Sequence, residues 1–220
     1  MSANAAWPPS GRQWIWLAIG LVAIVAAFAL DDTVSGAFYL PVHGPAWEVA
    51  RGLSKYGDWP PILVAGLAVV VALSVGRKSA TGHLLLLILV AGLLTGLAST
   101  LIRSTTGRTR PTAPAPQGFY GPRYQGKWII GKYDFGSFPS GHTATWAGLA
   151  GAAWFRRRSW GTGFLLAGVA VAWSRMALGC HHFSDVTASL VWGFIVGPWM
   201  VNRLEPAVAA LWRKAGLPPA

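Results

Sequence analysis

The chain is poor in charge. Asp, Glu, Lys and Arg make up 11% of its 220 residues, and only seven are acidic. That excludes an ordinary soluble domain of this length, in which about a quarter of the residues carry charge. It also leaves no acidic cluster from which a metal site could be assembled. Cysteine is scarcer still. Cys180 stands alone, so there is no disulfide framework and no cysteine-based metal site, and its side chain is expected simply to pack. Tandem repeats and low-complexity linkers are missing too, apart from a Pro-rich N-terminal tip, "AAWPPS", and a similar C-terminal one, "GLPPA". A single domain over residues 1–220 is expected.

What the chain has instead is hydrophobic mass: 53% of its residues, including thirteen tryptophans. A membrane-spanning helix needs about 20 mostly apolar residues to cross about 30 Å of hydrocarbon. Six runs approach that length, at 14–30, 61–76, 84–102, 141–155, 162–178 and 182–201. The expected fold is therefore all-α and polytopic, with six transmembrane helices and both termini on one side. The first run resembles a secretory signal in following Arg12. It is longer than the usual signal core, and "DDTVSG" after it offers no small-x-small cleavage site, so a retained helix is expected.

The formal charge of +11 does not imply nucleic acid, because the basic residues form no single stripe interleaved with aromatics. They sort by membrane side. With a cytoplasmic N-terminus, the short inner segments carry Arg12, Arg77 and Lys78, Arg156 to Arg158, and Arg203, Arg213 and Lys214, as the positive-inside rule favours. Most of the others lie in one long outer segment, Arg103 to Lys132, where that rule is weak. Between the first two runs, Trp47, Val49, Leu53 and Tyr56 are spaced as on one helix face, with Arg51 and Lys55 opposite, which predicts a short amphipathic helix on the outer surface. Gly92 with Gly96, and Gly148 with Ala152, are four apart and suit close helix packing.

Chemistry concentrates in three polar clusters, at 103–111, 139–142 and 174–185, all at the outer ends of runs. His181 and Asp185 are four apart on the helix that opens the sixth run, so the carboxylate can hold one imidazole nitrogen and leave the other outward. Such a histidine is a general base, a nucleophile or a metal ligand. Around it stand Arg175, Arg103, Arg108 and Arg110, which would repel one another without an anion between them, and phosphate matches their planar donors. Ser140 and Gly141 open the fourth run and add a hydroxyl and free backbone N–H groups at a helix N-terminus, with His142 placed to protonate a leaving oxygen. His182 could also reach Asp185 and is expected to orient, pack or help recognise a headgroup. Arg108, Arg123, Lys127 and Lys132 read as headgroup or loop contacts, His43 and His83 as surface histidines, and Trp146, Trp173 and Trp192 as helix packing or lipid contacts.

The three clusters, "RSTTGRTRP", "PSGH" and "SRMALGCHHFSD", resemble the type 2 phosphatidic acid phosphatase (PAP2) superfamily of integral-membrane lipid phosphatases. The family pattern is a basic residue, six residues and Arg-Pro; then Pro-Ser-Gly-His; then Ser-Arg, five residues, His, three residues, Asp. One departure is visible: the family usually has lysine where this chain has Arg103. The resemblance implies metal-independent phosphoryl transfer without a cofactor. His181 would be the nucleophile, Asp185 would orient it, and His142 would act as general acid and base. Arg103, Arg110, Arg175, Ser140 and Gly141 would bind the phosphate. The implied partner is a lipid phosphate in the bilayer, and the implied location is a bacterial inner membrane with the site facing the periplasm or exterior. A lipid phosphotransferase using the same histidine, and a non-catalytic lipid binder or transporter, are the other readings the residues allow.

Overall fold

The structure, a computed structural model, describes residues 11–76 and 78–217, with side chains from Trp14 onward. The expectations placed on the Arg12 side chain, Arg77, the N-terminal tip and the last three residues lie outside these residues. The described chain runs α1 (Gly11–Ala29), α2 (Asp31–Phe38), α3 (Pro45–Tyr56), α4 (Trp59–Val75) and α5 (Ser79–Thr106). A small hairpin of β1 (Arg123–Tyr124) and β2 (Lys127–Trp128) follows, then a 3-10 turn at Tyr133–Phe135, and then α6 (Gly141–Trp154), α7 (Arg158–Ala177) and α8 (Phe183–Lys214).

Helix α6 is the axis of the bundle and packs against α5, α7 and α8. Its residues explain why. Ala144, Ala147, Ala150, Ala152 and Ala153 are small and buried, so neighbouring backbones come close. On α8, a Cβ at Gly197 would stand 2.3 Å from the Gly148 carbonyl oxygen. On α5, one at Gly92 would stand 2.5 Å from Leu149 Cδ2. Of the small residues expected from spacing, Gly92, Gly96 and Gly148 thus sit on the α5–α6 contact, while Ala152 meets Gly197 of α8. Leu87, Ile88 and Leu149, with Val201 and Trp212 of α8, fill the core around it.

Outside this core the surface is apolar. Trp16, Val22 and Val25 of α1 and Val64, Val71 and Val75 of α4 are all more than half exposed, an arrangement stable against lipid chains and costly in water. The protein is an integral membrane protein. By length and composition α5 and α8 qualify as spans, and four result if the bent pairs α1–α2 (74°) and α3–α4 (62°) each count as one. The six expected are not all met by that measure. Helix α6 has 14 residues, or about 21 Å at 1.5 Å per residue. Helix α8, expected to end at residue 201, continues to Lys214 with Pro198 and Pro206 inside it.

The expected amphipathic helix is present as α3, but its buried face differs. Ala50 and Ser54 are buried, whereas Val49 and Tyr56 are exposed. The helix packs on α7 through small residues and turns larger ones outward. Gly107 then ends α5 in the left-handed region (φ 60°), where a Cβ would come within 1.9 Å of the Gly121 carbonyl oxygen. Only glycine fits there. The turn folds the long segment 107–139 back over the end of the bundle.

Candidate active site

One end of the bundle gathers the C-terminus of α5, the segment 107–139, the N-terminus of α6, the C-terminus of α7 and the N-terminus of α8. Helix α7 stops at Gly179, left-handed at φ 64°, with a Cβ position 2.6 Å from Thr112 Cγ2. The chain then folds over the helix end, and Cys180 and His181 both donate their backbone N–H to the Arg175 carbonyl, at 2.9 and 3.2 Å. The five residues between Arg175 and His181 are therefore one helix-capping turn that brings the two side chains to the same place. His182 caps α8: its N–H donates to Asp185 Oδ2 at 2.7 Å, and its side chain accepts the Asp185 N–H in return. Its Nε2 lies 3.1 Å from the Thr109 carbonyl. His182 is thus a structural cap.

His181 is fully buried. Its Nδ1 lies 2.7 Å from the Ser137 carbonyl oxygen and 3.6 Å from Asp185 Oδ2. A carbonyl only accepts, so Nδ1 carries the proton and the Nε2 lone pair is free. The immediate orienting group is the Ser137 backbone, while the Asp185 charge acts through space from just beyond hydrogen-bond range. Burial, first, together with Arg175 and Arg110, lowers the imidazole from its ordinary 6.5 to about 3, against the opposing pull of Asp185. It is therefore neutral at pH 7. Among the described residues four buried side-chain polar atoms have no hydrogen-bond partner, and two of them, His181 Nε2 and Arg175 Nε, belong to this cluster. Arg175 Nε is a donor suited to an anion, and the His181 Nε2 lone pair is suited to attack on an electrophilic centre.

The arginines are held from behind. Arg110 donates from Nε to the Tyr133 carbonyl (2.7 Å) and from Nη1 to the Cys180 carbonyl (3.1 Å), with its guanidinium 3.8 Å from the centre of the Tyr133 ring. Burial lowers its pKa from the ordinary value, with Arg175 adding to the effect and Tyr133, Cys180 and Asp185 opposing it. Arg175 donates from Nη1 to Ser54 Oγ, which ties α3 to the site. Half-buried Arg103 reaches over Gly141, where a Cβ would lie 3.8 Å from its Nη1 and only 2.7 Å from Thr100 Oγ1. Gly141 is needed for this close approach to α5. Ser140 is fully buried and caps α6. Its N–H donates to Ser189 Oγ (2.8 Å), and its hydroxyl oxygen accepts from Thr143 Oγ1 (3.0 Å). His142, the second residue of α6, places Nε2 3.5 Å from Asp58 Oδ1. All eight residues singled out from the sequence lie at this end. Among the described residues no three His, Cys, Asp or Glu side chains gather as a metal-binding group, and the converging groups are cationic.

These observations warrant comparison with known proteins. A family profile of the PAP2 superfamily matches residues 81–207, more than half of the chain. The chain belongs to the PAP2 superfamily. Its fold is similar to that in a crystal structure described as the first transmembrane PAP2 type phosphatidylglycerolphosphate phosphatase, from Bacillus subtilis. The TM-score is 0.53 at 19% identity, over 87% of this chain and 94% of that one. A comparison with curated proteins found no match.

In this PAP2 protein the largest departure from expectation is Arg108. It reads in the sequence as a headgroup or loop contact, yet it is 6% exposed. It donates to Asp185 Oδ1, to Ser184 Oγ (2.7 Å) and to Asp31 Oδ2 (2.6 Å), beneath the rings of Phe28 and Phe119 at 4.9 Å each. Asp31 in turn accepts from the Ser184 N–H and hydroxyl, both at 2.7 Å. The network pins α2 to the start of α8 and fixes Asp185, which also accepts from Ser137 Oγ. Two signals could have exposed these partners: Asp31 is an acid at the end of an apolar run, and Asp58 directly precedes "WPP", a helix-start signature. The Ser137 carbonyl has no sequence signal at all.

Proposed function

We propose that this protein is a membrane phosphatase that hydrolyses a lipid phosphomonoester or diphosphate in two histidine-centred steps. The observation that carries the reading is His181 Nε2: buried, unpartnered, and fixed with its lone pair free by the Nδ1 bond to Ser137. In the first step Nε2 attacks phosphorus in line, the P–O bond to the lipid breaks, and His142 gives the leaving oxygen its proton. The imidazolium that forms is steadied by the Ser137 carbonyl and the nearby Asp185 charge. In the second step His142 takes a proton from water, the hydroxide attacks phosphorus, the P–N bond to His181 Nε2 breaks, and inorganic phosphate leaves. Arg103, Arg110, Arg175, the Ser140 hydroxyl and the Gly141 N–H bind the equatorial oxygens as charge spreads over them. Removing one such donor costs about 3 to 4 kcal/mol in comparable anion holes.

The placement at a helix-bundle end supports a lipid substrate, whose headgroup reaches the site while its chains stay among the apolar faces. On this reading the bent and short helices complete six crossings, both termini and the basic segment Arg156 to Arg158 lie in the cytoplasm, and the site faces the periplasm or exterior of a bacterial inner membrane. The test is phosphate release by detergent-solubilised wild type and His181→Ala from a panel of lipid phosphates, with EDTA present. Release by wild type and a loss of at least about 1,000-fold in the variant are expected. Equal release by both would remove His181 from the mechanism. Transfer to an added lipid hydroxyl with little free phosphate would make the protein a phosphotransferase, and no turnover by folded wild type would leave a binder.

A further inference from the structure

A polar cavity lies at the other end of the bundle, about 480 Å³ in volume, within the range of small-ligand sites. Its walls include His83, Leu84 and Leu87 of α5, Arg156 and Arg157 of the α6–α7 connection, and Glu205 of α8. His83, expected at the surface, is only 8% exposed, stands edge-on to Trp212 at 5.4 Å, and has no hydrogen-bond partner for Nε2. It precedes Arg103 by 20 positions on the same helix, or about 30 Å. This cavity is therefore separate from the His181 cluster.

Leaving a buried imidazole nitrogen unpaired is costly. A ligand acceptor would remove that cost, since the Nε2–H tautomer of a neutral imidazole donates. The rim identifies the acceptor's charge. Arg156 is paired with Glu205 at 2.9 Å, whereas the exposed Arg157, its guanidinium 5.3 Å over the Trp160 ring, has no acidic partner among the described residues. Two guanidiniums against one carboxylate favour an anion, and their planar donors suit phosphate. Snorkelling alone would account for the arginines but not for a buried imidazole behind them. The wall of Leu84 and Leu87 adds an apolar side that a free inorganic anion does not use. We infer that this cavity binds the phosphate headgroup of an anionic phospholipid from the leaflet opposite the His181 site, with Arg157, Arg156 and His83 as donors and Glu205 as a competing internal anion.

The inference does not depend on turnover at His181. It is tested by calorimetric titration of the full-length protein in a neutral detergent with dihexanoylphosphatidylglycerol, with dihexanoylphosphatidylcholine and inorganic phosphate as the other arms. Loss of one hydrogen-bonding partner predicts about five- to tenfold weaker phosphatidylglycerol binding in His83→Leu and in Arg157→Gln. Glu205→Gln, which removes the competitor, should tighten binding about two- to fivefold, a gain that misfolding cannot produce. Arg110→Ala should leave this binding in place. Unchanged affinity in both His83→Leu and Arg157→Gln would overturn the site. Equal affinity for the phosphatidylcholine would overturn its selection of anions, and equally tight inorganic phosphate would overturn the lipid assignment.

Discussion

Replacing Arg108 by methionine tests the charge network that holds the catalytic end together. The substitution keeps an unbranched stem of similar length but removes the only cation among the described residues that contacts both Asp31 and Asp185. Each carboxylate keeps two hydrogen bonds: Asp31 from the Ser184 N–H and hydroxyl, and Asp185 from Ser137 Oγ and the His182 N–H. What they lose is the counter-charge, in a place where Asp185 is fully buried and Asp31 is 7% exposed. Breaking a buried pair in this way costs about 3 to 5 kcal/mol, a large part of the roughly 5 to 15 kcal/mol that stabilises a typical domain. Asp31→Asn should restore part of it, because one of the two stranded charges is gone, so the two changes should couple by about 1 to 3 kcal/mol. Heat-induced unfolding of the two single variants and the double variant in detergent micelles measures both quantities. A loss below about 1 kcal/mol for Arg108→Met, or strict additivity with Asp31→Asn, would refute the bridge.

Three further outcomes are expected. Asp58→Asn keeps the α4 cap, since asparagine caps as well as aspartate, but removes the charge 3.5 Å from His142 Nε2. The maximal rate should fall about two- to fivefold, as for a half-exposed pair, with the melting temperature nearly unchanged. For His181 the folded protein resists protonation down to about 3, whereas the unfolded chain takes up the proton near 6.5. Its contribution is thus fully present above 6.5 and is lost as pH falls towards 3, by on the order of 2 kcal/mol at pH 5. Melting temperatures of wild type and His181→Gln should therefore diverge between pH 8 and 5, with wild type losing more. Gly197→Ala places a methyl group 2.3 Å from the Gly148 carbonyl oxygen and 2.9 Å from the Ala152 nitrogen, both rigid backbone. It should destabilise the α6–α8 contact by about 1 to 3 kcal/mol, read from the same unfolding assay.

Much of this protein is local and therefore legible along the chain. Apolar composition announced the membrane, because hydrocarbon tolerates few charges. Gly92 and Gly148 marked a close helix contact, because only missing side chains let backbones meet. The spacing of His181 and Asp185 placed them together at the start of α8, although His181 precedes the His182 cap and so lies outside the helix, and the order of the three polar clusters put Arg103, Arg110, Ser140, Gly141, His142 and Arg175 at one end of the bundle. Periodicity and spacing report what a single helix does with itself. They are silent on what one helix end meets on another, and that is where the expectations parted from the structure. Arg108 faces inward because the Gly107 turn folds the long loop over two carboxylates that lie 77 positions away on either side. His83 is buried because the long α8 continues past two prolines and lays Trp212 against it. His181 takes its tautomer from a backbone carbonyl 44 positions earlier. Side-chain chemistry and its approximate location were written in the sequence, whereas charge pairing, tautomer and burial were decided by the tertiary structure, since they depend on distances between segments that no local pattern encodes.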